Sequence, residues 1–142
     1  MNIHPNYFYS KNDEWVSIEG NKATIGISDY AQDSLSDIVF VEISVSAGDS
    51  LAAEDNIGTI ESVKAASDIY TPVAGTVSEI NNKVVDSPEL LNRDPFGEAW
   101  LIKLSSDTGF DASHLMNADA YRKYDRDRGW NEFIPHTDAG RK

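Results

Sequence analysis

Two runs of β-branched residues, separated by eight small and polar ones, constrain this chain more than any other feature. Asn56-Ile57-Gly58-Thr59-Ile60 and Ile69-Tyr70-Thr71-Pro72-Val73 read as strands, because branched side chains suit a pleated, half-buried surface. Glu61-Ser62-Val63-Lys64-Ala65-Ala66-Ser67-Asp68 reads as the connection between them. The chain therefore folds back on itself there and presents Lys64 at the bend, with Ala65, Ala66 and Ser67 leaving room around it. No base or buried acid in the stretch marks Lys64 as a catalyst. On position alone, a lysine at a hairpin tip is solvated charge.

The remaining pattern is that of a mainly-β domain. Val16 and Ile18 alternate with Ser17 and Glu19; after a turn at Gly20, Ala23, Ile25 and Ile27 alternate with Lys22, Thr24 and Gly26. These two runs predict an antiparallel hairpin, with Trp15 in the core. Ser28 suits the cap of a short helix over 30–35, with Asp29 in its positive first turn. Ile38–Ile43 is strongly β-forming, and Trp100, Ile102 and Leu104 alternate in a last strand. Val45–Val85 carries weak internal symmetry, each half offering strand, glycine-containing turn, strand. Asp86–Leu91, with Pro88 in its first turn, predicts a short helix. Asp111–Met116 predicts a helical turn, and Asn117 caps a helix through Tyr124. Many short strands ending in a helix predict a flattened β-sandwich or barrel of two antiparallel sheets, with short helices and a C-terminal helix.

Composition narrows the function classes. A chain of 142 residues suits one domain with its own core. It has no cysteine, which excludes disulfides, thiolate metal sites and a cysteine nucleophile. His4, His114 and His136 lack ligand spacing, so no metal site is expected. Net charge is −12; residues 1–121 hold 20 acids against 6 bases, and residues 122–142 hold 4 acids against 6 bases. An acidic body disfavours nucleic acid and anionic membranes as partners and is compatible with positive patches on proteins. No apolar run is long enough to span a bilayer, and the start lacks the marks of a signal or transit peptide. A cytoplasmic, bacterial location is the default expectation.

The full local pattern around the lysine changes the bland reading. Glu61-Ser62-Val63-Lys64-Ala65, followed by Ser67-Asp68-Ile69 and Pro72-x-x-Gly75, resembles the attachment hairpin of lipoyl-carrier proteins, and most closely that of the glycine cleavage system H protein family. Biotin carriers flank their lysine with methionines, whereas Val63 and Ala65 stand here. Further blocks resemble the same family: Glu14-Trp15-Val16, Ala23–Gln32, Asp37–Glu42, Asn92–Lys103 and Ala118–Tyr121. They cover residues 7–124 in order and place the carrier domain at 1–124, leaving 125–142 as a mixed-charge, disordered extension.

The resemblance implies a non-catalytic carrier with lipoate joined to Lys64 by an amide. A lipoate ligase or lipoyltransferase would load it, reading Glu61, Ser62, Val63, Ala65 and Asp68. The arm would shuttle the aminomethyl group of glycine from glycine decarboxylase (the P protein) to the aminomethyltransferase (the T protein). Dihydrolipoyl dehydrogenase (the L protein) would reoxidise it. The carrier would act as a monomer, in the cytoplasm, without nucleic acid or membrane. In the family the loaded arm folds into a surface cleft; Glu14 and Asp68 match its polar positions, and Ile27 and Ala31 its apolar lining. A carboxylate suits a cationic amine. Glu14 and Asp68 are otherwise solvated charge, and Ile27 and Ala31 equally fit plain core. The alternative function is a lipoate relay that hands lipoyl groups to other enzymes.

Three positions depart from the family. Asp13 stands where histidine is common, Ser36 where glycine is common, and Glu42-Ile43-Ser44 lacks the usual proline at its third place. A serine at a site requiring φ > 0 costs about 1 kcal/mol. In the tail, Phe133-Ile134-Pro135-His136-Thr137-Asp138 resembles the opening of the N-terminal subunit of glycine decarboxylase, which raises the expectation of a fusion or its remnant.

Overall fold

The computed structural model describes residues 2–129. The Phe133–Asp138 motif therefore lies outside the described residues.

Inward-facing branched residues decide which segments pair. Strands β1 (Phe8–Tyr9), β2 (Glu14–Glu19), β3 (Lys22–Ile27), β5 (Ser50–Leu51), β8 (Gly75–Ile80) and β9 (Ile102–Ser105) form a six-stranded sheet in the order β1-β2-β3-β9-β8-β5. Strands β4 (Ile38–Ile43), β6 (Asn56–Ser62) and β7 (Ala66–Tyr70) form a three-stranded sheet in the order β4-β6-β7. Every pairing is antiparallel. The main core includes Val16, Ile25, Ile57, Ile60, Ile69, Leu101 and Leu104, all buried. This is the flattened sandwich that the strand count and spacing predict.

The predicted helix after Ser28 is α1 (Asp29–Leu35), with Ser28 Oγ accepting from the Ala31 N–H at 3.2 Å. The helix ends on Ser36 at φ +63°, a left-handed conformation that favours glycine. The C-terminal helix is α4 (Ala118–Asp127), capped by Asn117 as predicted. It continues past Tyr124: Asp125 is fully buried, and Arg128 pairs with Asp13. Asp125 and Arg128, placed in the extension by the sequence pattern, thus pack on the domain, while Arg126, Asp127 and Gly129 are exposed.

Other elements differ from the pattern for identifiable reasons. The helix predicted over Asp86–Leu91 is two short helices, α2 (Asn82–Asp86) and α3 (Leu90–Arg93). Asn81 starts α2: its Oδ1 accepts from the Lys83 N–H, while its Nδ2 donates to Glu98 O and Trp100 O at 2.8 and 2.7 Å. No helix forms over Asp111–Met116; Asp111 turns the chain by accepting from Ser113, and Met116 pairs with Tyr9 across a β-bridge.

The pairings of β6 with β4 and with β7 also contain bulges. The β4–β6 register shifts between Ile38 and Phe40, and the β6–β7 register shifts between Asn56 and Gly58. Each bulge resets the inward phase, so Ile38 and Val41, and Ile57 and Ile60, are buried at a spacing of three rather than two. Val39 and Phe40 consequently face solvent despite lying in an apolar run. Gly58 permits the close approach of β4: a Cβ there would stand 2.1 Å from the Glu42 backbone oxygen.

Two stability outcomes follow from this geometry. Gly58→Ala forces β4 and β6 apart and costs about 1–3 kcal/mol in denaturant unfolding. Ser36→Gly relieves the left-handed serine and raises stability by about 1 kcal/mol in the same measurement.

Candidate functional site

The turn between β6 and β7 is tighter than the sequence pattern suggests. The strands extend inward to Ser62 and Ala66, leaving Val63, Lys64 and Ala65 as the connection. Its backbone is fastened on both sides. The Ser62 N–H donates to Ala65 O at 2.8 Å, and Ser62 Oγ accepts from the Lys64 and Ala65 N–H groups at 3.3 and 3.1 Å. The Val63 N–H donates to Asp37 O at 3.0 Å, tying the turn to the approach of β4. The side chains are left free while the backbone is held. Lys64 is exposed and forms no ion pair among the described residues. Val63 is exposed at 67%, and Ala65, Ala66 and Ser67 are small and exposed. An amine so placed is open to an enzyme that must bring an acyl group to it.

Glu61 and Asp68 lie on the solvent face of this hairpin. Glu61 sits opposite Ala66, and Asp68 opposite Thr59, whose hydroxyl donates to its Oδ1 at 3.2 Å. Glu14, by contrast, is buried at 2% exposure rather than solvated. Its Oε1 accepts from Ser10 Oγ at 2.6 Å, and its Oε2 accepts from the Tyr70 N–H at 3.0 Å. Tyr70 ends β7, the edge strand of the small sheet, so Glu14 joins the two sheets at that edge. Ile27 is the cross-strand partner of Glu14 and belongs to the main core. Ala31 is half-buried on α1 and packs against that core. Glu14 and Ile27 are thus neighbours across β2 and β3, and Ala31 lies on the helix that follows β3. Asp68 shares β7 with Tyr70, but its side chain bonds across the hairpin to Thr59.

Burial governs the electrostatics of this corner. It pushes the Glu14 carboxyl up to about 7, against the pull of the Ser10 and Tyr70 donors. Burial likewise pushes Asp125 up to about 6, against Arg128. The Arg128 guanidinium would be lowered by burial, but its bonds to Asp13 and Asp125 hold it charged. Sequence patterns had no signal for the contacts that Tyr121 and Arg128 make with Asp13, which lies 108 and 115 residues away along the chain.

Residues 7–128 match the family described as Glycine cleavage H-protein. The chain belongs to that family. It is 48% identical over 126 residues to the glycine cleavage system H protein of Herpetosiphon aurantiacus, covering 89% of this chain and 95% of that one. It is 45% identical over 121 residues to the H protein of Carboxydothermus hydrogenoformans, covering 85% and 92%. The crystal structure of a glycine cleavage system H protein from Mycobacterium marinum superposes with a TM-score of 0.76 at 27% identity, covering 90% of this chain and all of that one. As a member of the H-protein family the chain is a carrier component of glycine cleavage, not a catalyst. No helix among the described residues is long and apolar enough to cross a membrane.

The raised Glu14 carboxyl predicts a pH signature. The unfolded chain releases this proton near 4.5 and the folded chain near 7. Folding therefore binds a proton in that window, and this contribution to stability falls as pH rises through it. Glu14→Gln lacks the loss, so its stability relative to wild type rises by about 3 kcal/mol between pH 4.5 and 7.5. Denaturant unfolding of both chains across that range measures the difference.

Proposed function

We propose that Lys64 carries lipoate as an amide. On that arm the protein shuttles the aminomethyl group of glycine from the decarboxylase to the aminomethyltransferase, with dihydrolipoyl dehydrogenase restoring the disulfide. The observation that carries the proposal is the exposed amine, without an ion pair among the described residues, at the apex of a turn whose backbone is hydrogen-bonded to itself and to Asp37. The local chemistry fits the group. Small residues surround the amine, so a ligase can reach it, and the fastened backbone keeps the attachment point in one place. Glu61, Ser62, Val63, Ala65 and Asp68 present the surface that a lipoate ligase or lipoyltransferase reads. Lipoate supplies the reversible dithiol chemistry; this chain supplies attachment, reach and shelter.

Reach follows from strand geometry. From Ala66 to Tyr70, β7 spans roughly 13 Å. A lysine side chain alone does not cover that distance, whereas a lengthened arm folding back along β7 does. The Glu14, Ile27 and Ala31 corner then offers a carboxyl beside apolar wall, suited to a cationic amine at the arm's end. Asp68 contributes on the way, from the exposed face of β7. The carrier domain includes all of α4, and it works as a monomer.

Lys64→Arg keeps a cation but cannot form the amide. Wild-type protein from lipoate-replete cells gains the mass of one lipoyl group, mapped to the Lys64 peptide; the arginine variant gains none. Glycine decarboxylation with the three partner enzymes falls to background in the variant. An unmodified Lys64 peptide from such cells refutes the assignment.

A further inference from the structure

One guanidinium ties the C-terminal helix to the starts of β2 and α1. Arg128 donates through Nη1 to Asp13 Oδ2 at 3.1 Å and through Nη2 to Asp13 Oδ1 at 2.7 Å. Nη2 also donates to Asp125 Oδ1. The guanidinium lies 3.8 Å from the Tyr30 ring centre on α1 and 4.1 Å from that of Tyr124 on α4. The Tyr121 hydroxyl donates to Asp13 Oδ1 at 2.8 Å and lies 2.6 Å from Ser28 Oγ, the cap of α1. The Asp13 carbonyl accepts from the Ser28 N–H at 2.8 Å. Asp13 itself sits at φ +69°, a conformation uncommon outside glycine that aspartate is among the residues able to adopt. A planar fork matched to a carboxylate, stacked on two rings, is what arginine supplies and lysine does not.

These contacts converge one residue from Glu14 and on the helix that carries Ala31. The charged groups acting on Glu14 are the carboxylates of Asp13 and of Glu54, in the loop after β5. Ser10 and the Tyr70 N–H donate to it, and its cross-strand partner Ile27 brings no charge. Of these two carboxylates, Asp13 is the one that Arg128 pairs with.

We propose that Arg128 is a positioning residue for this corner: by clamping Asp13 in its left-handed conformation, it holds the Glu14 carboxyl against the Tyr70 N–H and shields it from the Asp13 charge. The sheltering role of the corner rests on the proposed carrier function; the positioning does not.

The test is a carboxyl-detected NMR titration of the full-length, unmodified chain, with amide hydrogen exchange on the same samples. The variants are Arg128→Met, Arg128→Lys and Asp13→Asn. Arg128→Met leaves Asp13 uncompensated, so the Glu14 midpoint rises by about half a pH unit or more. The Tyr70 amide exchanges at least about tenfold faster, while Ile60 and Ile69 keep their protection. Arg128→Lys falls between wild type and Arg128→Met. Asp13→Asn moves the midpoint the opposite way, downward, because a carboxylate next to Glu14 is removed. A purely structural Arg128 would fray α4 and leave the Glu14 midpoint and the Tyr70 amide unchanged; that result overturns the proposal. If Arg128→Met does not fold, Arg128→Lys decides, and a Glu14 midpoint and a Tyr70 amide both unchanged from wild type overturn it. Mass analysis of the wild-type Lys64 peptide from lipoate-replete cells separates the two claims. An unmodified lysine with the Glu14 shifts present refutes the carrier assignment only. A lipoylated lysine without the shifts refutes the positioning only.

Discussion

The β6–β7 hairpin rests on three isoleucines. Ile57, Ile60 and Ile69 are each no more than 2% exposed and anchor both arms in the main core. Burial of each contributes about 1.5–3 kcal/mol. An isolated two-stranded hairpin is marginal in water, so the turn holds its shape only because the sandwich lies beneath it. With both arms committed inward and the turn's backbone hydrogen-bonded to itself and to Asp37, the side chains of Val63 and Lys64 project outward. The exposed amine is thus a consequence of how completely its neighbours are buried.

The opposite end of the site has the reverse character. Glu14, Asp13, Asp125 and Arg128 take charge or potential charge out of water, which costs stability unless each group finds partners. Most do. Glu14 has Ser10 and Tyr70, Asp13 has Tyr121 and Arg128, and the aromatic pair Tyr9–Tyr121, stacked at 4.3 Å, supports the helix that delivers Arg128. Among the described residues, Asp125 Oδ2 and Arg128 Nε have no hydrogen-bond partner. This is where the chain accepts a cost that an apolar core would avoid.

Legibility in the sequence followed the range of the interaction. The β2–β3 hairpin, the Ser28 cap of α1 and the Asn117 cap of α4 were readable because alternation and capping act within a few residues. Lys64 was readable because its motif is continuous. The burial of Glu14 was not readable, since a glutamate before Trp15 looks the same whether water or Tyr70 faces it. The start of α2 at Asn82, ahead of the predicted Asp86–Leu91 helix, depended on Asn81 reaching Glu98 and Trp100, residues brought near only by folding. The exposure of Val39 and Phe40 depended on a bulge, which shifts the inward phase without altering composition. Asp13, a departure from the family's usual histidine, found its compensation in Arg128, 115 residues away along the chain.

By itself the sequence determined the mainly-β class, the hairpin and the lysine at its bend. Each depends on local propensity and on a pattern written in consecutive residues. Only the tertiary structure decided that Glu14 bridges two sheets and that the C-terminal helix closes on Asp13. Burial and long-range hydrogen bonding set those relations, and neither is a property of any residue until the whole chain has packed.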